Sequence, residues 1–145
     1  MPVLVIGIGN PSRGDDAIGP LAIERLEAMA LAGVELLTDF QLQVEHALDL
    51  VGRSEVVFVD ATVAGEGPFS LEPVAPAADL STTTHALAPA AVLDVYRQYT
   101  DAPLPGARVV AVRGFDFELG APLSDAAARN LDAALEVLVA HLARR

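Results

Sequence analysis

A glycine-rich turn between an apolar run and a helical pattern is the feature that most constrains how this chain folds. Residues 5–20 read Val-Ile-Gly-Ile-Gly-Asn-Pro-Ser-Arg-Gly-Asp-Asp-Ala-Ile-Gly-Pro. Glycine where the backbone turns sharply, Asn and Pro in the loop, and acidic residues at the start of the next helix are typical of a strand-to-helix turn. Asp15 and Asp16 are therefore expected at the carboxyl end of the first strand.

This turn also invites comparison with the glycine fingerprint of dinucleotide-binding domains, because Gly7 and Gly9 follow a strand and precede a helix. The third glycine of that fingerprint is missing, since Ser12 stands in its place. Two carboxylates also occupy the positive helix end that a pyrophosphate would need. The turn therefore suits a cation or a cationic substrate better, although one of the two acidic residues can be explained as an N-cap.

Alternating strand and helix patterns predict a parallel sheet over the first half of the chain. The hydrophobic period indicates a helix over residues 16–31, a strand over 34–38 and a short helix over 44–51. The next apolar run, Val56-Val57-Phe58-Val59, is typical of a strand buried on both faces. Because parallel strands all end at the same edge, residues that follow them are expected to converge there.

The second half of the chain predicts one antiparallel strand and two longer helices. The strand over 69–74 follows a loop too short for a parallel crossover, so it is expected to be antiparallel. A helix over 88–99, a buried strand over 109–112 and a terminal helix capped by Ser124 complete the pattern. The predicted fold class is therefore α/β with a mixed, mostly parallel sheet, and residues 1–145 are expected to form a single domain.

Composition excludes several kinds of chemistry. The chain has no cysteine, and its nine basic residues are all arginine, so thiolate, iron–sulfur, P-loop lysine and Schiff-base sites are ruled out. A net charge of -11 argues against nucleic acid as a partner. No apolar run is long enough for a membrane helix, and the amino terminus lacks the basic region of a signal peptide. A cytoplasmic protein without a membrane partner is expected.

Three residues at strand ends or before a helix are the candidates for chemistry: Asp16, Asp60 and His85. Two carboxylates and an imidazole form a ligand set suited to a divalent metal such as nickel or zinc, with positions left open for a substrate. Each residue also has a purely structural explanation. Asp60 could cap backbone amides and His85 could simply begin a helix, while His46 and His141 are expected to be solvated. His46 is also a minor candidate for the site, because it lies near the end of the second strand.

Residues 7–19, Gly-Ile-Gly-Asn-Pro-Ser-Arg-Gly-Asp-Asp-Ala-Ile-Gly, resemble the amino-terminal signature of the nickel–iron hydrogenase maturation endopeptidases. The likeness extends to the run Val-Val-Phe-Val-Asp-Ala at 56–61 and to His85 before the third long helix. It implies a three-layer α/β domain with a mixed five-stranded sheet. It also implies an activity: removal of a short carboxyl-terminal extension from the hydrogenase large subunit precursor once nickel has been inserted.

In that family the positions of Asp16, Asp60 and His85 form the catalytic, metal-contacting set. The resemblance implies that they recognise nickel carried by the precursor, with no permanently bound cofactor. Whether the metal polarises the scissile carbonyl or the aspartates activate water, as in an aspartyl protease, stays open. Members commonly carry Asp-Gly-Gly-Thr where this chain has residues 39–46, Asp-Phe-Gln-Leu-Gln-Val-Glu-His, and Ala17 replaces a common glycine. The identity of the hydrogenase substrate is therefore open.

Two further functions are compatible with the sequence. One is a non-enzymatic binding module of the same architecture that senses a metal or a nucleotide. The other is a hydrolase that acts on an unrelated small substrate. Heat protection by nickel or zinc would favour a metal site, whereas retention on a nucleotide resin would favour the incomplete glycine fingerprint.

Overall fold

The structure, a computed structural model, describes residues 2–78 and 87–144. Five strands in these ranges form one sheet: β1 (Val3–Ile8), β2 (Val34–Asp39), β3 (Glu55–Thr62), β4 (Phe69–Pro73) and β5 (Gly106–Arg113). Their order across the sheet is β2-β1-β3-β5-β4. All neighbouring strands are parallel except β4, which runs antiparallel to β5. The predicted mixed five-stranded sheet, with its antiparallel strand, is confirmed.

Helices cover both faces of the sheet. They are α1 (Ile18–Met29), the single-turn α2 (His46–Asp49), α3 (Pro89–Tyr99) and α4 (Asp125–Ala143). One buried cluster joins α1 and α4 to the sheet, and the other joins α2 and α3 to its opposite face. Alternate residues of β1 enter the two clusters, Val3 and Val5 one of them and Leu4 and Ile6 the other. This period-two division produces the three layers.

The second helix departs from its predicted form. The spacing of Val44, Ala47, Leu48 and Val51 predicts that these four residues share one face of a helix over 44–51. Ala47 is buried, but the other three are more than half exposed. The helix is one turn long, and Ala47 and Leu50 are the residues that enter the core from it. A spacing of three and four residues indicates a buried face only when the helix continues through it, and here the chain turns away first.

Other boundaries differ in ways that affect the site. A 3-10 turn, Gly14–Ala17, precedes α1, so Asp16 lies in that turn instead of the helix proper. Strand β3 continues to Thr62, so Asp60 pairs with Ala111 of β5 inside the sheet and does not follow the strand. The helical period places Ile18, Ala22, Leu26 and Met29 on one face of α1; the first three are buried, but Met29 is 46 % exposed. The prediction for Ser124 is confirmed, since its hydroxyl accepts a hydrogen bond from the Ala127 N–H at the start of α4.

Within the part of the chain that the structure describes, none of the helices combines the length and the apolar composition needed to cross a bilayer.

Candidate functional site

The carboxyl ends of β1, β2 and β3 lie next to one another at one edge of the sheet. The register pairs Gly7 of β1 with Thr38 of β2 on one side and with Val59 of β3 on the other. The residues that follow these three positions therefore meet at this edge. They include the turn that carries Asp16, the end of β2 at Asp39, and Asp60 in β3.

Gly9 brings the Asp16 turn against the end of β1. Its φ is +146°, a conformation that side chains of L-residues rarely adopt, and a Cβ at this position would overlap the carbonyl oxygen of Asp16. The Gly9 N–H donates to the carbonyl oxygen of Asp39 at 3.0 Å. Gly9 thus lies between the two acidic residues Asp16 and Asp39, and fixes the backbone of both.

Asp16 and Asp60 each use one carboxylate oxygen to bind a neighbouring backbone group. Oδ2 of Asp16 accepts from the Asn10 N–H at 2.7 Å, and Oδ1 of Asp60 accepts from the Ala61 N–H at 2.8 Å. Neither Oδ1 of Asp16 nor Oδ2 of Asp60 has a hydrogen-bond partner among residues 2–78 and 87–144. Both side chains are partly exposed. Within the described ranges, one oxygen of each carboxylate is therefore without a hydrogen-bond partner.

The environment of Asp60 changes its proton affinity. Burial raises the pKa of Asp60 to about 7 from its ordinary value of 3.8, and the negative charge of Asp16 adds to this effect. The hydrogen bond from Ala61 opposes the shift without cancelling it. Asp16 and Asp60 are therefore close enough to interact electrostatically, as the sequence predicts, and Asp60 can hold or release a proton near neutral pH.

Asp15 and Asp16 are adjacent in the sequence but have different roles in the structure. The side chain of Asp15 is fully buried, and it accepts hydrogen bonds from the N–H groups of Phe115, Asp116 and Ser124 and from the Ser124 hydroxyl. Burial alone would raise the pKa of Asp15, but these hydrogen bonds together outweigh it and hold the pKa below its usual value. Asp15 is thus a structural anchor for the loop between β5 and α4, and not an N-cap of its own helix.

Asp39, another acidic residue at this edge, has a buried partner, His46. His46, expected to be solvated, is 8 % exposed, and its Nε2 atom lies 3.2 Å from Oδ2 of Asp39. The other oxygen of Asp39, Oδ1, accepts from the Phe40 N–H at 2.7 Å. Gly9, Asp39 and Phe40, together with Pro11, Pro20 and Thr38, line a shallow pocket of about 280 Å³ beside the Asp16 turn. The expectation for His46 was wrong because the short α2 turns its first residue toward β2.

The loops around the carboxylates form one connected surface. Arg13 Nε donates to the Phe117 carbonyl at 3.4 Å, and Arg113 donates to the Val63 carbonyl and lies 5.1 Å from the centre of the Phe115 ring. Both arginines are thereby engaged in joining loops, while carboxylates outnumber them at this edge. Val63, Phe115 and Leu119, which lie on these loops, are more than half exposed and give the loops apolar surface.

The third predicted site residue, His85, lies outside the described residues. Among the residues that are described, no group of three His, Cys, Asp or Glu side chains is arranged to hold a metal ion. Asp16 and Asp60 supply oxygen donors suited to a divalent cation, but two donors do not make a complete site. The role of His85 therefore stays a prediction.

At the opposite edge of the sheet, the environment of a second histidine was also predicted wrongly. His141 of α4 was expected to be solvated, but its Nε2 atom lies 2.9 Å from Oε1 of Glu55, and its side chain is only 21 % exposed. The carboxylate of Glu55 is also 3.5 Å from Nε of Arg108. His141 therefore links α4 to the beginning of β3, far from the carboxyl edge.

The sequence contained signals for some residues whose contacts were not predicted. Ser124 was identified as a helix cap, but its bond to Asp15 joins positions 109 residues apart, which local patterns do not reveal. Asp39 was recognised as the end of a strand. Its contact with His46 depends on the length of α2, which the hydrophobic spacing overestimated.

No family model matches the chain, and no curated protein matches it. Solved structures do. The hydrogenase maturating endopeptidase HybD from E. coli superposes with a TM-score of 0.79 at 25% identity, over 99% of this chain and 93% of that one. The solution structure of an endopeptidase from Escherichia coli gives a TM-score of 0.77 at 26% identity, over 98% and 92%.

A third structure is similar in fold. The [NiFe] hydrogenase maturation protease HycI from Thermococcus kodakarensis superposes with a TM-score of 0.76 at 23% identity, over 99% of this chain and 93% of that one. The similarity first seen in residues 7–19 thus extends over nearly the whole chain, which has the architecture of the hydrogenase maturation endopeptidases.

Proposed function

We propose that this protein is an endopeptidase that removes the carboxyl-terminal extension of a nickel–iron hydrogenase large subunit precursor after nickel insertion. The observation that carries the proposal is that the turn with Asp16 contacts the strand with Asp60, in a fold shared with a hydrogenase maturating endopeptidase. Each carboxylate keeps one oxygen without a partner among the described residues. A pair of carboxylates placed in this way is available for work on a substrate.

Nickel enters this proposal as part of the substrate. Asp16 and Asp60, with His85 as the predicted third group, would contact nickel that the precursor already holds, so the protein needs no permanently bound metal. Carboxylate and imidazole groups are suitable ligands for nickel. Because contact with the metal contributes to binding, a precursor without nickel would bind more weakly and would be left uncleaved.

Asp60 is the group we assign to proton transfer. Cleavage requires that the oxygen of a water molecule bond to the scissile carbonyl carbon while the carbon–nitrogen bond breaks. One proton leaves the water, and the departing nitrogen gains one. Asp60 has one carboxylate oxygen without a partner among the described residues, so it leaves the nickel to Asp16 and His85 during this step. With its pKa raised to about 7 in the protein without metal, it accepts the first proton and returns it to the nitrogen. Asp16, in the adjacent turn, would orient the metal-loaded end of the precursor.

The surface around the carboxylates supports a protein substrate over an unrelated small molecule. Val63, Phe115 and Leu119 are exposed on loops that hydrogen bonds join to one another and to the Asp16 turn. Exposed apolar side chains grouped around a polar centre are typical of protein-binding surfaces. We also propose a cytoplasmic location, with which the cysteine-free composition agrees.

The test is to incubate the protein with large subunit precursor, with and without inserted nickel, and to follow the mass of the precursor. Loss of a carboxyl-terminal peptide only from the nickel-loaded precursor is expected. Asp60→Asn should abolish it, whereas Asp101→Asn, on the exposed loop that leads into the opposite end of β5, should not. Intact mass for several loaded precursors would refute the proposal and favour a binding module.

A further inference from the structure

The buried contact between His46 and Asp39 is not used by the mechanism above. A histidine is normally exposed or partnered, and this one is 8 % exposed at the beginning of a single-turn helix. Its partner Asp39 has a side chain that is 45 % exposed and that lines the pocket beside the Asp16 turn. The contact therefore joins the interior of the protein to a wall of the candidate site.

The contacts of the His46 ring with Gln43 indicate which of its two nitrogens carries the hydrogen. The Gln43 N–H donates to Nδ1 of His46 at 2.9 Å. Nδ1 also lies 3.3 Å from the Gln43 carbonyl oxygen. The shorter contact, with the Gln43 N–H, favours Nδ1 as the acceptor, which places the proton of the neutral ring on Nε2. That atom lies 3.2 Å from Oδ2 of Asp39. The backbone at Gln43 thus selects the tautomer that is favourable for contact with a carboxylate.

Asp39 is held from both sides. Oδ1 accepts from the Phe40 N–H at 2.7 Å, Oδ2 faces His46, and the Asp39 carbonyl accepts from Gly9. The segment behind it is fixed as well, because Leu42 is buried and its carbonyl accepts from the Leu87 N–H at 3.0 Å. Asp39 is therefore a preorganised carboxylate across Gly9 from Asp16.

We propose that His46 is a positioning residue, which holds Asp39 in the orientation that accepts hydrogen bonds from N–H groups of the bound precursor. The inference rests on the proposed function and deepens it, since it adds a substrate-binding group outside the pair Asp16 and Asp60. The pocket of about 280 Å³ lined by Gly9, Pro11 and Phe40 has room for one side chain of an extended peptide. Asp39 supplies the acceptor at its wall.

Two substitutions separate the two contacts of the ring. His46→Asn keeps an acceptor near Nδ1 for the Gln43 N–H but removes the group that faces Asp39. His46→Gln reaches toward Asp39 with its amide nitrogen but removes the acceptor. Because Asp39 would contact the bound precursor in the ground state and the transition state alike, the effect belongs in KM.

The measurement is kcat and KM for cleavage of nickel-loaded precursor. His46→Asn is expected to raise KM about tenfold with kcat changed less than about twofold, and His46→Gln to restore most of the loss. Asp39→Asn should raise KM to a similar extent, and combining it with His46→Asn should add less than about twofold, because the two residues act as one unit.

His141→Asn is the matched control, because His141 also contacts a carboxylate, Glu55, but at the opposite edge of the sheet. The melting temperature of His141→Asn is expected to fall as that of His46→Asn does, whereas its KM is expected to stay unchanged. Unchanged KM in both His46 variants, an equal rise in His141→Asn, or additive effects in the double variant would overturn the inference alone. A wild-type protein that cleaves no precursor would overturn the proposed function and this inference with it.

Discussion

The carboxylate of Asp15 accepts two hydrogen bonds from Ser124, one from its backbone N–H and one from its hydroxyl, both at 2.7 Å. Ser124 in turn caps α4 through the Ala127 N–H. One buried carboxylate therefore connects the turn that holds Asp16 with the first turn of the last helix. Charge-assisted hydrogen bonds of this kind are among the stronger polar contacts in proteins.

Replacing the buried Asp15 is expected to destabilise the protein more than replacing an exposed aspartate. Asp15→Asn would place an amide group among four donors, and the free energy of unfolding should fall by about 3 kcal/mol. Urea unfolding measures the change. Asp132→Asn is the control, since Asp132 is an exposed residue of α4 that pairs with Arg25 of α1, and its replacement should cost about 0.5 kcal/mol or less. A loss for Asp15→Asn no larger than for the control would contradict the anchoring role.

Gly9→Val is expected to lower the melting temperature strongly. A side chain at Gly9 would overlap the Asp16 carbonyl, and the φ of +146° is unfavourable for valine. The comparison is Gly106→Ala at the start of β5, where an added Cβ meets nothing within 4 Å. Gly106→Ala should leave the melting temperature nearly unchanged. Equal melting temperatures for the two variants would show that the turn can relax.

Asp60 is expected to make stability fall as pH rises. The unfolded carboxyl releases its proton near its ordinary value of 3.8, but in the folded protein its pKa is raised to about 7 by burial and by Asp16. Between these values the folded state binds more protons, so its advantage is full below about pH 4 and is lost as pH rises through about 7. Unfolding free energies at about pH 5 and about pH 8 should differ less in Asp60→Asn than in the wild type. Equal differences would refute the assignment.

Asp16→Asn and His85→Ala are expected to retain the fold and to lose processing of the precursor. Asp16 is partly exposed and accepts one hydrogen bond from Asn10, which an asparagine oxygen can also accept. The circular dichroism spectrum and the melting temperature should stay close to those of the wild type, while the mass of the precursor stays unchanged after incubation. Full processing by either variant would remove that residue from the site.

The sequence was sufficient to locate the five strands along the chain and to predict the antiparallel direction of β4. Continuous apolar runs marked β1 and β3, and the short connection before β4 indicated its antiparallel direction. These features depend on local composition and loop length, which a single sequence displays directly. The meeting of Asp16 and Asp60 also followed from topology, because parallel strands end at one edge.

Side-chain environments at the site could not be predicted in the same way. Asp15 and Asp16 are adjacent in sequence, yet one is fully buried and the other partly exposed. The difference arises from donors on the loop before Ser124, which lies more than a hundred residues away. His46 was misjudged for a related reason, since its burial depends on where α2 ends and on its contact with Asp39.

The Asp15 anchor has a consequence for synthesis on the ribosome. All four of its donors belong to residues 115–124, so a nascent chain shorter than this has β1 and the Asp16 turn but lacks the hydrogen-bond donors that Asp15 binds in the folded protein. Strand β5, which joins β3 to β4, also emerges late. The carboxylates of the site therefore reach their final positions only when most of the chain has been translated, and a truncated product would have no assembled site with which to act on its substrate.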